Sequence, residues 1–146
     1  MKIITSLSFA FIFLTSCYVF NSEEGFDEKT TALITKGEII VRDVDAVEFK
    51  DLIDHKEGQI LDVRTPEEWA TGIIEGAIMI NYYDRDFKQQ LTRLAKDKPV
   101  FVYCKAGVRG GNALKKMVKI GFVEVYNLEG GITAWQKANY PITKQN

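Results

Sequence analysis

Val100-Phe101-Val102-Tyr103-Cys104-Lys105-Ala106-Gly107-Val108-Arg109 passes from an apolar run, through a short loop, towards a helical pattern. Val100 to Tyr103, entered from Pro99, has the continuous apolar character of a strand buried on both faces. The pattern Gly110-Gly111-Asn112-Ala113-Leu114-Lys115-Lys116-Met117-Val118 follows at once, and the helix is predicted over Gly111 to Ile120. Cys104 therefore stands between a strand end and a helix N-terminus. The first amides of a helix have no intrahelical acceptor, and the helix dipole adds partial positive charge at that end. Both favour a thiolate, the nucleophilic form of cysteine. Arg109 supplies a permanent cation suited to an anionic substrate. A buried core cysteine is the plainer alternative, and the Gly-containing, Arg-terminated loop argues against it.

Working outward, strands and helices alternate from Gly37 onward. Ile39-Ile40-Val41 reads as a short strand, and Asp45 can cap a helix bearing Val47, Leu52 and Ile53. Gln59 to Val63 reads as a buried strand. Thr65-Pro66-Glu67-Glu68 is a helix start: Thr65 at the N-cap, Pro66 at the first helical position, Glu68 three residues after the cap. Ala77 to Ile80 reads as another buried strand, and Asp86 to Ala95 as an amphipathic helix with Phe87, Leu91 and Leu94 on one face. Val123 to Tyr126 is the last strand, Gly130-Gly131-Ile132-Thr133-Ala134-Trp135 opens the last helix, and Pro141 follows it. This alternation predicts an α/β fold, a parallel sheet of about five strands with helices on both faces. Ligands in such sheets bind beyond the carboxyl ends of the strands, where Cys104 lies.

The 146 residues suit one domain, and a net charge of −1 gives no basic surface for nucleic acid. The N-terminus reads separately. Lys2 is a short positive region, and Ile3 to Leu14 is apolar, too short for an ordinary membrane span. Leu14-Thr15-Ser16-Cys17 then resembles the bacterial lipobox, which implies cleavage before Cys17 and lipidation of that residue. The expected division is a signal peptide over residues 1–16, a lipidated N-terminus and tether over 17–36, and a folded domain over 37–146. The tether would hold the domain on the order of 25 Å from a membrane. The lipobox resemblance thus implies a location in a bacterial cell envelope, lipid-anchored and extracytoplasmic. The chain has two cysteines and one histidine, His55. With Cys17 lipidated, Cys104 has no resolving partner for dithiol chemistry, and zinc ligation lacks donors. No metal or other cofactor is expected.

Four segments in unbroken order, between about Gly37 and Ile142, resemble the rhodanese family, specifically its single-domain sulfurtransferases. They are Leu61-Asp62-Val63-Arg64-Thr65-Pro66-Glu67-Glu68-Trp69; Gly72-Ile73-Ile74-Glu75-Gly76-Ala77-Ile78-Met79-Ile80-Asn81; Val102-Tyr103-Cys104 with Gly107 and Arg109; and Leu128-Glu129-Gly130-Gly131-Ile132-Thr133-Ala134-Trp135 with Tyr140-Pro141-Ile142. Ile73 and Glu75 replace the family's usual His and Pro. Gly110 replaces the Ser that commonly follows the loop Arg, which removes a hydroxyl but permits close backbone approach.

The resemblance implies a two-step sulfur transfer with Cys104 as nucleophile. A thiosulfate-like anion donates a sulfur to Cys104, and a thiol or cyanide removes it. Backbone amides of Lys105, Ala106, Gly107, Val108, Arg109 and Gly110 would cradle the anionic persulfide. Arg109 would attract the donor; Lys105 reads either as a second such cation or as a solvated surface charge. Asp62 and Arg64 read as a structural pair more readily than as catalytic groups. Trp69 and Trp135 read as packing residues and His55 as a surface residue. Related phosphatases carry a loop one residue longer than Cys104 to Arg109, which ranks phosphate chemistry low. A non-enzymatic persulfide carrier or partner-binding module is the alternative.

Overall fold

The computed structural model describes residues 25–144. Cys17 and the signal peptide expected over residues 1–16 lie outside the described residues. The elements in chain order are α1 (Glu28–Thr35), β1 (Ile40–Val44), α2 (Ala46–His55), β2 (Gln59–Asp62), α3 (Pro66–Trp69), β3 (Ile78–Met79), α4 (Phe87–Leu91), β4 (Val100–Tyr103), α5 (Val108–Lys119), β5 (Glu124–Leu128) and α6 (Gly131–Lys137). The five strands form one parallel sheet in the order β1-β5-β4-β2-β3. The sheet expected from the sequence is the sheet found.

The central strand shows why its residues are apolar throughout. All four residues of β4 are buried. Side chains alternate between faces along a strand, so Val100, Val102 and Cys104 join one core, while Phe101 and Tyr103 join the other. The first core is covered by Phe87, Leu91 and Leu94 of the α4 region and by Ala113, Leu114, Met117 and Val118 of α5. Phe49 of α2 and Ile132 and Trp135 of α6 cover the second. Phe49 meets Phe101 and Trp135 edge to face at 6.0 and 6.2 Å between ring centroids, a favoured aromatic geometry.

Local signals set several boundaries as expected. Asp45 caps α2 by accepting from the amides of Val47 and Glu48 at 2.9 and 2.8 Å. The Thr65–Glu68 capping box opens α3.

Several boundaries differ from the sequence reading. β1 begins at Ile40 and runs on to Val44 instead of spanning Ile39 to Val41. α5 starts at Val108, because Gly107 takes φ +97° and the Gly111 amide bonds to the Gly107 carbonyl. The two following glycines are thus inside the helix. β5 runs on through Asn127 and Leu128, which pair with Asp43 and Val44 of β1. β3 is a two-residue edge strand held only by β2, and Ile78 is 40% exposed. α4 closes at Leu91, yet Thr92, Arg93 and Leu94 continue in tight turns bonded three residues back, which still buries Leu94. Glu28–Thr35, inside the expected tether, is helical. Asp27 caps it, and Phe26 and Ile34 pack on the core beneath α5.

Candidate functional site

Cys104 ends β4 at the carboxyl edge of the sheet and is 1% exposed. Its Sγ accepts a hydrogen bond from the Gly107 amide at 3.1 Å. The loop from Cys104 to Gly107 turns directly into α5, whose first-turn amides have no intrahelical acceptor. Backbone amides clustered at a turn into a helix form the kind of concavity that binds anions.

α6 fixes the loop from the other side. The Ile132 amide donates to the Cys104 carbonyl at 2.8 Å. The Lys105 carbonyl accepts from the Thr133 amide at 3.2 Å and from Thr133 Oγ1 at 2.8 Å. This close approach requires a glycine at 131: its φ is +59°, and a Cβ there would lie 2.4 Å from the Cys104 carbonyl oxygen.

Asn127 forms the third support. Its Nδ2 donates to Asp43 Oδ1 at 2.6 Å and to the Gly107 carbonyl at 3.3 Å. Two acceptors on one side fix the orientation of the amide. Its Oδ1 then lies where a side chain at 110 would begin, 2.1 Å from the Cβ position of Gly110. Gly110 therefore does more than omit a hydroxyl. It leaves room for the carboxamide that holds the loop.

Arg109 lies in the first turn of α5. The guanidinium that the sequence offers to an anionic donor is met by Glu68, with Nη1 and Nη2 each 2.7 Å from a carboxylate oxygen. It also stands 5.7 Å from the centroid of the Tyr83 ring. The Arg109 hydrogen bonds hold the Glu68 carboxyl far below its usual value, at about 2, against the opposing effect of burial. Lys105 is exposed and forms no ion pair among the described residues. It lines a cavity of about 260 Å³ between α3 and α6, together with Arg64, Glu68, Thr133 and Gln136. Ala106 and Val108 are exposed at the rim, and Gly107 and Gly110 are buried beneath it.

Asp62 and Arg64 form the structural pair expected of them, 0% and 2% exposed. The guanidinium binds both Asp62 oxygens and reaches the carbonyls of Glu68 and Gly72. It ties the end of β2 to α3 and to the turn that follows. Burial and then the Asp62 carboxylate push the neighbouring Tyr103 hydroxyl up, and that hydroxyl accepts from the Ile74 amide at 3.0 Å. Trp135 is core, with its indole N–H donating to the Pro141 carbonyl. His55 is exposed beside Asp51.

Sequence reasoning did not single out Asn127, Asp43 or Thr133, nor Glu68 as the partner of Arg109. Asn127 lies one residue before the closing motif that starts at Leu128. A polar residue directly after the predicted last strand, at its carboxyl end, was the available signal.

Residues 45–138 match the family model described as rhodanese-like domain. The chain is 37% identical over 95 residues to the probable adenylyltransferase/sulfurtransferase MoeZ of Mycobacterium tuberculosis, a match that covers 64% of this chain and 24% of that protein. The chain thus spans about a quarter of that relative's length. It is 30% identical over 99 residues to the thiosulfate sulfurtransferase GlpE of Vibrio cholerae, covering 68% of this chain and 92% of that one. Among solved structures, a rhodanese-like domain protein from Staphylococcus aureus superposes with a TM-score of 0.62 at 27% identity, covering 72% of this chain and 99% of the other. With its central cysteine strand, its loop and its four segments in order, the chain belongs to the rhodanese-like domain family.

Proposed function

We propose that the chain is a sulfurtransferase that moves a sulfane sulfur from thiosulfate or a similar anion to a thiol or cyanide. The observation that carries this reading is the Gly107 amide on Cys104 Sγ at the mouth of α5. The Cys104 thiolate attacks the outer sulfur of thiosulfate. A Cys–S–S⁻ persulfide forms, the S–S bond of the donor breaks, and sulfite leaves with that bond's electron pair. An acceptor thiolate or cyanide then attacks the outer persulfide sulfur and returns the Cys104 thiolate, a ping-pong sequence. The loop amides hold the negative charge in both steps. Lys105 supplies the accessible positive charge for the donor, and Arg109, engaged by Glu68, shapes the loop wall. The name of the Vibrio cholerae relative supports thiosulfate as the donor class.

We also propose that the mature protein is lipid-anchored through Cys17 and faces away from the cytoplasm. The support is the apolar leader ending in Leu14-Thr15-Ser16-Cys17.

Intact mass after incubation with thiosulfate, read with sulfite release, tests the chemistry. A gain of one sulfur is expected on the native protein and none on Cys104→Ser, whose fold should be retained. Sulfite release by Cys104→Ser at the native rate would overturn the mechanism. Mass analysis of the mature N-terminus tests the anchor. A protein that is unacylated at Cys17 or still begins at Met1 would overturn it.

A further inference from the structure

Between the α4 region and α5, Tyr82, Arg85, Lys88, Lys116 and Lys119 share a cavity of about 340 Å³ with Asp84. That volume falls in the range of small-ligand sites, about 300–1,000 Å³. Four cations converge there in a chain whose net charge is −1. None of the four forms an ion pair among the described residues. Asp84, the carboxylate lining the cavity, is held by neutral partners, and outside the cavity Asp27 lies within electrostatic reach of Lys119. Asp84 Oδ1 accepts from Asn81 at 2.9 Å, and Oδ2 accepts from Gln90 at 2.8 Å. Lys116 instead lies over the Tyr82 ring, 5.3 Å from its centroid, an arrangement that keeps an ammonium at the cavity wall. Like charges gathered in a concave site repel one another unless an anion lies between them. The cavity is separate from the thiol site but adjoins its rim: Tyr82 packs edge to face on Tyr83, whose ring carries Arg109.

We propose that this cavity binds a phosphate-class polyanion, either a soluble phosphorylated compound or the headgroup of an anionic lipid. Arg85 is suited to bidentate contact with phosphate oxygens, and the three lysines to point-charge contact.

The test uses the full chain in non-ionic detergent, with inorganic pyrophosphate titrated by calorimetry at low salt. A second arm measures association with phosphatidylcholine vesicles, with and without phosphatidylglycerol. Saturable pyrophosphate binding identifies a soluble ligand. Preference for phosphatidylglycerol without pyrophosphate binding identifies a headgroup. In either case, Lys116→Gln with Lys119→Gln, and separately Arg85→Gln with Lys88→Gln, should weaken the interaction about tenfold or more, as expected for lost charged hydrogen bonds. Lys98→Gln, on a different surface, should leave it unchanged. Absence of both interactions, or equal loss with Lys98→Gln, would overturn the proposal. Cys104→Ser should bind like the native protein, so failure here is distinct from failure of the sulfur-transfer reading.

Discussion

Gly110 and Asn127 compete for one volume, and the chain resolves the competition in favour of the carboxamide. Gly110→Ser would place its Cβ about where Asn127 Oδ1 now lies. Overpacking of this kind costs about 1–3 kcal/mol. Urea denaturation should show that loss, and the shorter side chain in the double variant Gly110→Ser with Asn127→Ser should recover part of it. A fully stable Gly110→Ser would mean that Asn127 moves aside freely.

Glu68 supports a second prediction at this scale. Its native pKa of about 2 lies below the ordinary value of 4.5. A depressed carboxyl pKa contributes stability above the unfolded value and loses it as pH falls towards the folded one. The stability difference between native protein and Glu68→Gln should therefore shrink between about pH 5 and about pH 2, by at most about 3 kcal/mol. A difference that is flat with pH would show that the Arg109 pair does not persist in solution.

At the scale of elements, what could be read in advance was local. The Thr65–Glu68 box and the Asp45 cap are each complete within a few residues, so the sequence alone places them. Cys104 was legible because strand, loop and helix follow one another directly. Asn127 was not, because its partner Asp43 is 84 residues away and meets it only through the pairing of β1 with β5. Arg109 and Glu68 are separated by 41 residues, so the charge of the loop could be read but not its neutralisation. Gly110 stood at the start of the helical pattern in sequence, but its use for clearance against Asn127 within α5 could not be read there. The junction of α6 with the loop yields a sharper test. Gly131→Ala would force a non-glycine residue to φ +59° and press its Cβ on the Cys104 carbonyl. Backbone strain of this type costs about 1–3 kcal/mol. Persulfide formation should fall further than the stability change alone predicts, because the displaced group is the loop itself. Equal rates in both proteins would separate α6 from the chemistry.

For the whole molecule, the order β1-β5-β4-β2-β3 sets the first strand beside the last. The supports of Cys104 come from β1 through Asp43, from β5 through Asn127 and from α6 through Ile132 and Thr133. All of them depend on contacts between distant parts of the chain, which form slowly. Pulsed alkylation during refolding should label Cys104 until β1 and β5 have paired and little afterwards, when the thiol is 1% exposed. Early protection, before that pairing, would contradict this order. The arrangement gives this thiol two lives. In the nascent chain it is an unguarded thiol, open to any oxidant it meets. Once the two ends of the sheet have closed, the thiol is 1% exposed, so general oxidants should reach it most readily during folding.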